Sequence, residues 1–97
     1  MVRRFLITYD NHPPRNYIAL YRLMAAWKAE RLAQSVWLAN LDADAGTVRD
    51  IVLRTLQPND TVAVVELKAG ADWATINANP AASAWLSLNV RPRQMAA

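Results

Sequence analysis

Phe5-Leu6-Ile7-Thr8-Tyr9-Asp10, running into Asn11-His12-Pro13-Pro14, is the stretch that decides how this chain is read. The apolar and β-favouring residues form a short strand over residues 3 to 9, and the turn-forming run that follows stops it. Two prolines prevent the strand from continuing past Asp10. Alternation places Phe5, Ile7 and Tyr9 on one face and Leu6, Thr8 and Asp10 on the other. No hydrophobic partner follows Asp10 to hide it, so its side chain faces solvent, a ligand or another subunit. A lone acid at a strand end is a candidate metal ligand. An aspartate before a proline-containing loop also serves to cap the turn through an Asx-type hydrogen bond.

Outward from this strand, Tyr17, Leu20, Tyr21, Met24 and Trp27 recur at helical spacing, which predicts an amphipathic helix over residues 16 to 29. A second strand is expected over residues 32 to 41, long enough to bend or to pair as two pieces. Asp42-x-Asp44 can cap a helix whose buried stripe is Val48, Ile51, Val52 and Leu56. Pro58-Asn59-Asp60 ends that helix. Thr61 to Leu67 is almost continuously apolar and β-branched, the pattern of a central strand buried on two sides. Asn79-Pro80 supplies an N-cap and a first-turn proline for a helix over residues 81 to 86. The order predicts an α+β, ferredoxin-like sandwich: an antiparallel sheet with helices on one face and an open face used for dimerisation.

The chain has 97 residues, of which 54% are apolar, enough for one domain with a modest core. We place that domain at residues 3 to 88, with a short basic tail at 89 to 97. No apolar run approaches the ~18 residues that span a bilayer, and the first strand begins without a signal-peptide core, so a cytoplasmic location and no membrane partner are expected. With no cysteine, disulfides, thiolate zinc sites and cysteine nucleophiles are excluded. Eleven Lys and Arg give a net charge of +3 without forming a run. This permits a nucleic-acid partner without demanding one.

The strand ending in Tyr9-Asp10, the amphipathic helix after it, Gln34-Ser35-Val36-Trp37 and the Asp-x-Val-x-Val stretch from Asp60 to Val64 together resemble the Cas2-like proteins. That family comprises the small CRISPR-associated subunit and its stand-alone relatives, including VapD-type toxin ribonucleases of toxin–antitoxin pairs. The resemblance covers about residues 3 to 67. It implies a ferredoxin-like homodimer acting on RNA or DNA, in which Asp10 of each copy holds one shared Mg²⁺ or Mn²⁺ for hydrolysis by a metal-dependent nuclease. Two like charges at a dimer axis repel, so a cation or proton must neutralise them. Asn79-Pro80 opens a helix where the family commonly has a further strand, and some members act as scaffolds on duplex DNA without needing the aspartate.

Other residues carry two readings each. His12 is a candidate base or ligand, or a solvated loop histidine. Ser35 could hydrogen-bond a phosphate or be ordinary strand packing. Asp42 and Asp44 lack the later ligands of a calcium loop and read as helix caps. The four tryptophans, Trp27, Trp37, Trp73 and Trp85, are core and interface material that could also stack on bases. Trp37 and Leu6 are the candidates for the dimer face. Arg3, Arg4, Arg15, Arg22 and Arg31 are the candidate phosphate contacts, against the plainer role of a solvated surface. A non-catalytic nucleic-acid scaffold and a protein-interaction module are the alternatives to the nuclease.

Overall fold

The computed structural model describes residues 1–10, 12, 13 and 16–92. Its elements are β1 (Arg3–Asp10), α1 (Ile18–Ala26), β2 (Glu30–Ala33), β3 (Val36–Leu41), α2 (Ala45–Leu53), β4 (Thr61–Glu66) and α3 (Pro80–Asn89). They form one four-stranded sheet in the order β2-β3-β1-β4, with every neighbouring pair antiparallel. This is the split βαβ arrangement of a ferredoxin-like α+β fold. The long second strand is two pieces. Gln34 and Ser35 form the turn between them, and a bulge between Arg31 and Ala33 twists β2.

Local chemistry sets each boundary. Helix α1 is shorter than the apolar spacing suggests because Lys28 adopts φ 54°. There Ala29 N–H donates to Met24 O at 2.9 Å and Lys28 N–H to Ala25 O at 3.1 Å, the paired closure of a Schellman end. At α2 the Asp44 carboxylate accepts Thr47 N–H at 2.7 Å, and at α3 the Asn79 side chain accepts Ala81 N–H with Pro80 in the first turn.

Phe5, Ile7 and Tyr9 of β1 pack with Leu20 and Met24 of α1, Ala39 of β3, and Val48 and Val52 of α2. Phe5, Ile7, Leu20, Met24, Val48 and Val52 are completely buried, and each contributes about 1.5–3 kcal/mol by leaving water. The opposite face carries a second cluster. Leu38 of β3 lies beneath Ala82, Trp85, Leu86 and Val90, with Leu6, Leu32, Leu67 and Trp73 around it. Helices α1 and α2 therefore share one face, while α3 covers part of the other, on the β2–β3 side. Helix α3 runs to Asn89, and Val90 is buried beyond it.

Two expectations change here. The strand from Thr61 is not central: β4 is an edge strand beside β1, with Thr61, Ala63 and Val65 exposed. Its β-branched residues are satisfied by one covered face, under α2, rather than two. Trp37 is not on the sheet face opposite α1 and α2, because Ile7 and Trp37 are register partners and so share the face under those helices. Leu6 does lie on the opposite face, half-covered by the α3 cluster.

Docking of α3 makes Leu38 a full core residue, so Leu38→Ala should cost about 2–5 kcal/mol in chemical denaturation. A cost below about 1 kcal/mol would mean that α3 is not seated on the sheet.

Candidate functional site at the end of strand β1

The C-terminal end of β1 meets the β2–β3 turn and the loop before β4. Tyr9 N–H donates to Ser35 O at 3.4 Å, and Asp10 is the register partner of Thr61. Asp10, Ser35 and His12 thus reach the same end of the sheet. Asp10 is exposed on the face shared with Leu6 and Thr8, and among the described residues its carboxylate has neither a side-chain hydrogen bond nor an ion pair. The Asx-type cap is not formed there. Among the described residues no three of His, Cys, Asp or Glu gather as a cation site requires. At this point the chain supplies a single free carboxylate, that of Asp10.

His12 is held by Asp60. The Asp60 carboxylate is fully enclosed and takes His12 N–H at 2.7 Å, His12 Nδ1 at 2.9 Å and Gln57 N–H at 2.8 Å, while Gln57 Nε2 donates back to His12 O at 3.1 Å. Burial pushes the Asp60 pKa up, but the hydrogen bonds from His12 and Gln57 outweigh it and the net shift is downward. An ionised Asp60 accepts only, so it keeps a proton on His12 Nδ1 and leaves Nε2 as the ring's free nitrogen. The His12 ring is thereby fixed by Asp60, two residues along the chain from Asp10. Asp60 was passed over in the sequence as a helix terminator; its signal, an acid beside Pro-Asn, is that of any turn.

A second cluster lies under α1. Tyr9, Tyr17, Tyr21 and Trp37 form a chain of rings with centroids 6.0, 5.6 and 6.2 Å apart, the middle pair stacked at 17°. Trp37 Nε1 donates to Tyr9 Oη at 3.1 Å, linking the chain's two ends. Burial raises the Tyr9 pKa against the opposing effect of that bond. The Arg31 guanidinium sits 5.2 Å from both the Tyr21 and Trp37 ring centres and donates to Gln34 O at 2.5 Å and Tyr21 Oη at 3.3 Å. Its Nε is buried without a partner. The i, i+4 spacing of Tyr17 and Tyr21 was the legible signal; the arginine that closes the cluster comes from another element.

The candidate phosphate contacts are scattered. Arg3 is bound by Glu66 through two hydrogen bonds, of 3.1 and 2.8 Å, and Arg31 belongs to the aromatic cluster. Arg15 lies outside the described residues. Arg22 is exposed on α1, lining a groove of about 600 Å³ with Asn16, Ile18, Thr55 and Gln57. Arg4 shares the face of Asp10 but stands six residues earlier in β1, about 20 Å away at strand rise.

No family model matches the chain, and no curated protein or solved structure is similar to it.

The Arg3 guanidinium, with Lys68 beside it, holds the Glu66 carboxyl at about 2 against an ordinary 4.5. Because the folded state binds its proton more weakly, the stabilisation is complete above about pH 4.5 and disappears as pH falls toward 2. Thermal melts should therefore be flat near neutrality and fall steeply in that window, and Glu66→Gln should lower the neutral melting temperature while flattening the acid slope. An unchanged slope in the variant would assign the acid sensitivity elsewhere.

Proposed function

We propose that this chain acts on nucleic acid as a Cas2-like homodimer, in which Asp10 of the two copies share one Mg²⁺ or Mn²⁺ and the site cleaves phosphodiester bonds of RNA or DNA. The observation that carries the reading is the Asp10 carboxylate, exposed and unpaired on the sheet face that α1 and α2 leave free. The ferredoxin-like order of the strands supports it by delivering that residue to the end of a central strand. A cation between two such carboxylates would polarise a phosphodiester and acidify a bound water. Within the chain, His12 Nε2 is the group available to move a proton and Asp60 orients it. Thr8, Ala63 and Val65 lie with Asp10 on the part of the face not covered by α3 and offer the surface for the second copy. No helix among the described residues is long and apolar enough to cross a membrane.

A second reading is a non-catalytic nucleic-acid-binding scaffold, favoured by Asp10 standing without two further ligating side chains among the described residues. The two separate cleanly in one assay. The nuclease predicts Mg²⁺-dependent cleavage of labelled RNA or DNA that falls at least about 100-fold in Asp10→Asn while binding is kept. Salt-sensitive binding with no cleavage by either protein supports the scaffold, and cleavage undiminished in the variant contradicts the assignment of Asp10.

A further inference from the structure

The two edges of the sheet are built differently. Strand β2 has four residues, carries Glu30 and Arg31, is broken by a bulge and lies against α3. These are the devices by which proteins prevent a sheet edge from pairing. Strand β4, Thr-Val-Ala-Val-Val-Glu, has none of them: its register with β1 is unbroken, it has no proline, and its one charge is held by Arg3.

The hydrogen-bond phase shows which of its groups are free. Leu67 N–H donates to Arg4 O at 2.7 Å, which makes Arg4–Leu67 a hydrogen-bonded pair and, by alternation, Leu6–Val65, Thr8–Ala63 and Asp10–Thr61 as well. The backbone groups of Val62, Val64 and Glu66 therefore point away from the sheet. Among the described residues nothing bonds to them.

We propose that this free edge pairs antiparallel with β4 of a second copy of the chain, continuing the sheet across a two-fold axis at Val64. An antiparallel edge is self-complementary, which suits an isologous contact. With Val64 opposite the partner's Val64, Val62 faces the partner's Glu66 and every outward group of both strands is used. Shifting the axis to Ala63 would set Glu66 opposite the partner's Asp60, which lies outside β4 with its N–H already donated to Gln57 O, so the Glu66 carbonyl would gain no donor. The contact lies along the edge and is independent of the face on which Asp10 stands, so it holds or fails apart from the nuclease reading.

Amide hydrogen exchange on the wild-type protein, with its mass measured by sedimentation, tests this directly. The expected result is a species of at least twice the chain mass in which the Val62, Val64 and Glu66 amides are protected as well as those of Thr61, Ala63 and Val65. Val64→Pro removes an outward N–H without touching a bond to β1, and should raise the dissociation constant by at least about tenfold with an unchanged circular dichroism spectrum. Unprotected outward amides overturn the proposal whether the protein is monomeric or packs through its face. Protection in a monomer also overturns it, giving the edge to another segment of the same chain. Should the proline variant misfold, wild-type exchange and mass decide alone.

Discussion

The double pairing of β1 is the constraint on which the rest of the structure depends. Its odd-numbered residues exchange backbone hydrogen bonds with β3 and its even-numbered residues with β4, so one eight-residue strand sets the register of both neighbours. The same parity sends Phe5, Ile7 and Tyr9 beneath α1 and α2 and turns Leu6, Thr8 and Asp10 the other way. A slip of one residue would exchange the two sets, burying Asp10 among apolar side chains and exposing Phe5 and Ile7 to water. The cost of that exchange is what holds the Asp10 carboxylate on the uncovered face.

Around that strand the polar chemistry divides into groups that are spent on architecture and groups left available. Asp60 ties the segment after β1 to the loop before β4, Glu66 binds the first residue of β1 to the end of β4, and Arg31 closes the aromatic chain over β3. Each of these charges is matched by donors or by ring faces, which is how partly buried charge is tolerated. Asp10 is not matched in this way. A free acid at the end of β1, two residues before a histidine whose ring is held by Asp60, is the contrast on which the proposed function rests.

Much of the architecture was legible because it is local. The strand at Phe5, the caps at Asp44 and Asn79, and the face of Asp10 all follow from spacing and turn chemistry over a few residues. What escaped was set by distant partners. The β-branched run from Thr61 has the composition of a buried strand, yet its neighbours place it at an edge; edge and centre differ in who sits alongside. Trp37 lay on either face until the β1–β3 register fixed it under the helices. The seating of α3 on Leu38 could not be seen from residues 81 to 86, whose alanine-rich stripe is weakly amphipathic. Asp60, Glu66 and Arg31 were invisible as a class, since an ion pair or cation–π contact at a sequence separation of 48, 63 or 10 leaves no periodic trace.

Asp10 at the end of β1 is an unencumbered carboxylate among the described residues, and the proposed reading gives it a divalent cation shared with a second copy. Titrating Mn²⁺ into the isotope-labelled protein and following paramagnetic broadening of its amide signals is the most direct test. The account predicts that Thr8, Asp10 and Thr61 broaden first and that Asp10→Asn abolishes the effect. Broadening centred instead on Asp42 and Asp44 or on Asp72, or none at all, would contradict it.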